Sequence, residues 1–358
     1  MLFRRKAKQI TIPDTAEFEK KHNLKPEPEE WEDGLRIDTG PGNFEWWYFD
    51  ATFDDGSTCV VVFYTKPLME RRGPLKPSIQ LNITKPDKTQ IKELPVFESP
   101  DFYASKDTCD VKIAHNWVKG NLKEYTLHAS HGDLAADLTF KSVVPARRAG
   151  PGLNYYEMKG EKEKYYFAWF PAMPHGTVEG TIKYDGKTHK VKGTGYHDHN
   201  WGNLGLPLVM SHWYWGRAVI GDYLLIFANM YALPSYGNKE IPVFVLGKDQ
   251  ELLVGENNSS IEISDMIIHP GGKSYPRKTV IINESEDKKI KVTITDPEII
   301  EARSLLTLLP PLKQKIARLL ANPYYFRFDA DVEVEIDMKD LKDKVSGKIL
   351  YEIMYLRN

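Results

Sequence analysis

The chain has 358 residues, with 48 Lys plus Arg against 50 Asp plus Glu, 41% hydrophobic residues and 12% aromatic ones. That length is enough for two domains at roughly 150 residues each, and a net charge of -2 supplies no global field to hold nucleic acid or an anionic membrane. No apolar run is long enough to span a bilayer, no apolar stretch follows the basic start MLFRRKAKQI, and the two cysteines, Cys59 and Cys109, exclude a disulfide scaffold, so a soluble, cytoplasmic chain is expected.

Residues 1–38 are charged and lack apolar periodicity, and their KPEPEEWEDG stretch reads as an extended surface arm. From Phe44 to about residue 295, short alternating segments between turn signals predict a mainly antiparallel β protein. CVVVFYT follows Asp55-Gly56, GTIKY precedes Asp185-Gly186, and KVTITD precedes Pro297. The two halves resemble each other: WWYFDATFDDGSTCVVVFY from Trp46 runs parallel to HWYWGRAVIGDYLLIFANMY from His212 with a one-residue gap. KVKGTGYHDH from Lys190 also lies over KVSGKILYEI from Lys344, which sets Asp198 opposite Glu352. A duplicated β unit follows, each copy hiding its edges by closing into a barrel, with domains at 39–195 and 196–358. Asp296-Pro297 has the form of a helix N-cap and first turn, so residues 297–322 are predicted as a two-helix insertion broken by Pro310-Pro311. Lys313, Lys315 and Arg318 among its leucines make it a candidate for peripheral membrane contact, the alternative being a cap on the barrel end. FRFDADVEVEIDM and VSGKILYEIMYLR predict a closing hairpin.

The residues that carry chemistry concentrate in GTGYHDHNWGNLG, 193–205, and SHWYWGR, 211–217. In an extended strand His197, His199 and Trp201 share one face while Tyr196, Asp198 and Asn200 share the other. One reading puts the His/Trp face in a lumen, with Asp198 behind it or turned inward by a bulge, and proton traffic between imidazole and carboxylate. The other is a polar network that ties the halves together. His197 and His199 could ligate an ion with His212 or Asp198, but no HExxH or carboxylate cluster accompanies them. GxGxxG, GxxxxGK[ST] and GxSxG are absent too, so neither a metal nor a cofactor is expected. Trp46, Trp47, Tyr48, Trp201, Trp213, Tyr214 and Trp215 are either core or the wall of a tunnel for a long apolar ligand, where ring faces would stabilise a cation. Glu45 and Arg217 flank them, as a rim ion pair or as ligand contacts.

EWWYFDA at residues 45–51, together with GYHDHNWG at 195–202, resembles the carotenoid 1,2-hydratase (hydroxyneurosporene synthase) and AttH-like family over about residues 40–358. The resemblance implies a mainly β chain of two tandem lipocalin-like barrels and a polyprenyl or polyene substrate. Family members include isoprenoid hydratases and, among fungal relatives, intramolecular Diels-Alder cyclases. It also implies that the hydratases' His-x-Trp falls on His199 and Trp201, and that their Tyr-x-Asp falls near Phe227-Ala228-Asn229, where Asn229 replaces the proton-donating Asp. The expected activity is cofactor-independent hydration of a trisubstituted double bond. Asp198, held neutral by burial, would protonate the alkene to a tertiary cation; His197 or His199 would re-protonate it or position water, and Trp47, Trp201 and Trp213 would face the cation. Glu352, Asp222 and Asp50 stand next in line as the acid. Glu45, Trp46, Trp47, Tyr48, His212, Trp213, Tyr214, Trp215, Arg217, Asn229 and Glu352 are the expected substrate contacts. Two other functions fit the same residues: a pericyclase, which needs shape rather than acid, and a lipocalin-like binder of apolar ligands.

Overall fold

The computed structural model describes residues 7–67, 70–148, 150–249, 251–256, 258–308 and 323–357. The chain is mainly antiparallel β and divides into two compact units, Thr11–Gly205 and, with the first ten residues, Leu206–Asn358. Each unit is a curled lipocalin-like sheet. In the first, the strand Lys187–Gly202 runs between Phe44–Phe53 and Tyr166–Tyr184. Thr58–Tyr64, Ser78–Thr84 and Gln90–Glu93 extend the sheet on one side, while Leu134–Val144, Glu124–His131, Asn116–Gly120, Cys109–Ile113 and Phe102–Ala104 extend it on the other. The second unit repeats the plan. Leu341–Tyr355 runs between Met210–Ile220 and Tyr324–Met338, flanked by Tyr223–Ala232, Glu240–Lys248 and Glu251–Glu256 on one side and by Lys288–Ser304, Ser274–Ser285 and Ser260–Ile268 on the other.

Alternation explains both cores. Trp47, Phe49, Ala51 and Phe53 point into the first sheet's concavity with Val61 and Phe63, and Tyr214, Ala218 and Ile220 do the same in the second with Leu225 and Phe227. The ladders also fix the repeat's register. Asp198 pairs across from Tyr48, and Glu352 pairs across from Trp215. The structural match of Tyr48 is therefore Trp215 and not Tyr214, one residue away from the alignment of the two aromatic strings. A one-residue slip reverses the face of every side chain, and only the shifted register keeps Trp47 and Tyr214 both inside.

Three expectations from the sequence are corrected. The boundary at 195/196 would cut the strand Lys187–Gly202, which pairs along its whole length with first-unit strands, so Tyr196–Gly202 stay with the first unit. Of the arm expected over residues 1–38, the described part, 7–38, is not extended throughout. Thr15–His22 is a helix capped by Asp14, whose side chain accepts the Glu17 N–H, and Glu30–Asp33 is a 3-10 turn with Glu32 and Asp33 buried. Its charges are buried because they are paired: Arg148 lies 3.0 Å from Glu32 and 3.1 Å from Glu19, and Asp33 meets histidines. The helix predicted from Asp296-Pro297 is also absent: the strand Lys288–Ser304 passes through the pair and bonds to Tyr324–Met338. The register slips between Thr295 and Glu298, with Asp296 at φ 50°, so the pair makes a β-bulge, where aspartate tolerates the left-handed backbone and proline's missing donor costs little. Leu305–Leu308 is a 3-10 turn, and the rest of the insertion, including Lys313, Lys315 and Arg318, lies outside the described residues.

Candidate functional site

The strand Lys187–Gly202 carries two sites, one on each face. Its pairing with Phe44–Phe53 runs without a slip from Gly193 to Gly202, so no bulge turns Asp198 inward. The glycines serve close approach instead: a Cβ on Gly195 would stand 2.5 Å from Val178 Cγ2 and 2.7 Å from the Asp50 carbonyl.

On the inner face His197 and His199 are fully buried, and the space beside them is filled. His197 stacks on Phe49 at 3.9 Å, and His199 lies between Trp47 and Trp201, each 4.7 Å away by ring centres. The 3-10 turn delivers Asp33 to both imidazoles: His197 Nε2 lies 3.0 Å from Asp33 Oδ2, and His199 Nδ1 lies 3.4 Å from Asp33 Oδ1. Tyr125 donates its hydroxyl to Asp33 Oδ2 at 2.7 Å, and the Trp47 indole donates to the Asp33 carbonyl at 2.9 Å. Glu45, fully buried, meets His199 Nε2 at 2.6 Å and accepts the backbone N–H groups of Arg36 and Ile37. Glu45 is thus an interior partner of a histidine and makes no rim ion pair. A cavity of about 450 Å³ is lined by Trp31 of the 3-10 turn and by Leu35, Arg36, Ile37, Asp38, Lys106 and Asp107. It touches none of the residues expected from the sequence.

On the outer face Asp198 is buried among three neutral donors. Trp169 Nε1 and Tyr196 Oη each donate to Oδ2 at 2.9 Å, and Asn200 Nδ2 donates to Oδ1 at 2.7 Å. Desolvation raises the Asp198 pKa from its ordinary value, and the hydrogen bonds from Trp169 and Tyr196 oppose it. Tyr48 lies directly opposite on Phe44–Phe53, its ring edge-on to Tyr196 at 6.3 Å, and it donates its hydroxyl to Asp50 Oδ2 at 3.1 Å. His197 and His199 make no hydrogen bond to Asp198, because the strand's pleat puts them on the opposite face. They therefore do not serve as its proton relay, and Asp198 cannot join them around an ion. Among the described residues, Asp33, Cys109 and His197 do converge, their ligand atoms all within 4.8 Å of one another.

In the second unit the expected residues also divide by face, so the seven rings do not line one tunnel. Tyr214 and Asn229 point inward, Trp213, Trp215, Arg217 and Glu352 outward. Glu352 accepts the Tyr325 hydroxyl at 2.6 Å and lies 3.7 Å from Arg327 Nε. Asn229 is fully buried and donates to Glu240, which also accepts the Tyr231 hydroxyl at 3.0 Å. His212 stacks on Tyr231 at 4.4 Å and meets Ser211 Oγ through Nδ1, and burial lowers its pKa to about 4. Burial pushes the hydroxyls of Tyr214, Tyr231 and Tyr351 up.

A family model described as Diels-Alderase-like matches residues 38–269, which includes both aromatic strands and the His-Asp-His strand. The chain belongs to the Diels-Alderase-like family. Among curated relatives it is similar to the quinolone epoxide rearrangement protein penF of Penicillium thymicola, 28% identical over 153 residues covering 42% of this chain and 40% of that one. It is also similar to the Diels-Alderase pyiF of Pyricularia grisea, 24% identical over 220 residues covering 56% and 50%. The chain spans about half the length of the curated relatives it matches. Among solved structures, CghA superposes with a TM-score of 0.61 at 14% identity over 98% of this chain and 99% of that one. A putative AttH from Nitrosomonas europaea gives 0.59 at 15% over 90% and 94%, and kievitone hydratase from Nectria haematococca gives 0.55 at 17% over 88% and 91%. At these identities the likeness is one of fold alone: the chain shares the AttH-like, lipocalin-like fold, and the matches do not single out the carotenoid 1,2-hydratases.

Sequence reasoning missed Asp33, Tyr125, Trp169, Cys109 and Glu240. Asp33 sits in a run of charges that reads as solvated, and the others sit singly in ordinary strand patterns with nothing local to mark them.

Proposed function

We propose that this Diels-Alderase-like chain is a cofactor-independent enzyme that cyclises or rearranges an apolar, polyene-bearing small molecule, with the outer face of Lys187–Gly202 as its reacting surface. The observation that carries the reading is Asp198: a buried carboxyl, raised in pKa by desolvation, set among Trp169, Tyr196 and Tyr48. A neutral carboxyl can donate a hydrogen bond to a substrate carbonyl or epoxide oxygen, and charge drawn onto that oxygen activates the conjugated alkene or strained ring for isomerisation. Bulky rings around it would hold a flexible polyene in a folded conformer, so much of the rate gain comes from lost freedom already spent on binding. The names of the relatives, Diels-Alderase and quinolone epoxide rearrangement protein, fit such chemistry.

The same carboxyl supports hydration as a second reading, since a dry acid can also protonate a trisubstituted alkene. Both readings expect Asp198→Asn to keep the fold and lower turnover by about a hundred- to ten-thousand-fold, the usual contribution of a positioned proton donor. Incubation with linear polyenes bearing a diene and an electron-poor alkene, or a vinylogous epoxide, separates them by mass spectrometry. A product of unchanged mass and new retention supports isomerisation, and a gain of one water supports hydration. Unchanged turnover in Asp198→Asn removes the carboxyl from both.

A further inference from the structure

Two and three strands from Lys187–Gly202, the first unit's sheet sets a serine, a histidine and an aspartate in series. His128 on Glu124–His131 pairs directly across from Asp137 on Leu134–Val144, and Ser130 lies two residues beyond His128. Leu127, Ala129, Ala136 and Leu138 fill the core, so the pleat turns His128, Ser130 and Asp137 together onto the outer face. His128 Nδ1 lies 2.6 Å from Asp137 Oδ1, and His128 Nε2 lies 3.2 Å from Ser130 Oγ. A carboxylate can only accept, so the imidazole hydrogen sits on Nδ1 and the bare Nε2 accepts the serine hydroxyl. Ser130 is also held by its backbone. Its N–H donates to Oδ1 of the fully buried Asn116 at 2.7 Å, and its carbonyl accepts from His115 Nε2 at 2.9 Å. His128 and Ser130 are half-buried and Asp137 is exposed, so the series is open to a small molecule.

We propose that Ser130, His128 and Asp137 form a second reactive site, a serine nucleophile with its base and orienting carboxylate, which hydrolyses aryl esters of short acyl groups. Such a triad is recognised by its two contacts, hydroxyl to imidazole and imidazole to carboxylate, and not by a local string such as GxSxG; here strand pairing supplies both. Ser130 Oγ attacks the ester carbonyl carbon while its proton passes to His128 Nε2. Breaking the ester bond releases the phenol, which leaves with that proton, and the acyl group stays on Ser130. Water then attacks the acyl carbon with His128 as base, the bond to Oγ breaks, Ser130 regains a proton and the carboxylic acid departs. Asp137 is a positioning residue that fixes the imidazole's tautomer. Trp117 pairs directly across from His128, so its indole stands on the same face and offers a flat apolar wall to an aryl group. Ser130 pairs with Ala135 and Ala135 with Lys183, which brings an ammonium on a long arm to that face for the charge on the carbonyl oxygen. Asp137 pairs with Thr181 and Thr181 with Lys190, eight residues before Asp198 on one strand. At that spacing the two sites lie about 25 Å apart, and neither needs the other.

The test uses the full chain with two probes, p-nitrophenyl acetate and a fluorophosphonate that phosphonylates an activated serine with loss of fluoride. Intact-mass and peptide analysis is expected to place a single phosphonyl group on Ser130, and nitrophenol release is expected to continue past one equivalent per chain. Ser130→Ala is expected to lose the label and the ester turnover at unchanged Tm. His128→Gln keeps the serine but removes its base, and its labelling rate is expected to fall about a hundred- to ten-thousand-fold. Asp137→Asn is expected to slow labelling at unchanged Tm, with Asp137→Glu restoring part of the rate, which a merely structural carboxylate would not do. A wild-type chain unlabelled at Ser130, or labelled no faster than His128→Gln, overturns the site and leaves a surface chain of hydrogen bonds. Nitrophenol release that stops at one equivalent, or that persists in Ser130→Ala, also overturns it. Polyene turnover at Asp198 is read on other substrates, so failure of one proposal does not carry the other.

Discussion

The two units share a strand order and differ in what that order buries. In the shared register His197 corresponds to Tyr351, His199 to Ile353, Trp201 to Tyr355 and Glu45 to His212. At these positions the first interior therefore holds two imidazoles and, with Asp33, two carboxylates, while the second holds a tyrosine hydroxyl shared with Thr279 at 3.0 Å, an isoleucine side chain and a histidine whose pKa burial lowers. Outside, Asp198 corresponds to Glu352 and Tyr48 to Trp215, so an acid beside an aromatic ring persists at that position in both. A curled sheet fixes where a side chain points but not its chemistry, and one copy can become ionic while the other stays apolar.

The sharpest way to break this comparison is to remove charge from one interior and volume from the other. Asp33→Asn leaves its histidines facing a neutral amide at a fully buried position, and a loss of about 3–5 kcal/mol in chemical denaturation is expected, as for other buried pairs deprived of one partner. Ile353→Val at the position matching His199 removes only a methyl group and is expected to cost about 0.5–1.5 kcal/mol. Equal losses would mean that the first interior is held by packing and not by its ionic pairs.

A smaller effect should follow pH. His212 has its pKa lowered from 6.5 to about 4, so below pH 6.5 the unfolded chain binds a proton that the folded chain refuses. Stability from this group is complete above pH 6.5 and declines as pH falls toward 4. His212→Gln is expected to flatten the dependence of Tm on pH in that window, and an unchanged slope would place the acid sensitivity elsewhere. The smallest effect is expected at the surface: Lys348 and Asp331, 2.8 Å apart and both more than half exposed, should tolerate Lys348→Ala with no measurable change in Tm, because solvent already screens the pair.

Much of the architecture was legible before any coordinates. Alternation in residues 46–64 and 212–231 exposed the strands, their likeness exposed the duplication, and the two faces of the His-Asp-His strand separate as its alternation requires. The register of the repeat was not legible, since Trp-Trp-Tyr and Trp-Tyr-Trp align almost equally well one residue apart, and only the ladder partners of Asp198 and Glu352 distinguish the faces. The bulge at Asp296-Pro297 carried the same residues as a helix cap, and pairing with Tyr324–Met338 decided between them.

The sequence by itself determined the β class, the two-unit plan and the strand that carries the candidate site, because those follow from periods of two along the chain and from local turn residues. Only the tertiary structure decided which partners that strand would have. Asp33 lies 164 residues before His197, Tyr125 lies 92 residues after Asp33, and Trp169 lies 29 before Asp198. No local pattern encodes such meetings. They arise because strand pairing and the N-terminal 3-10 turn bring groups distant in the chain together on the two faces of one strand, in dry surroundings where an unpaired charge is too costly to leave.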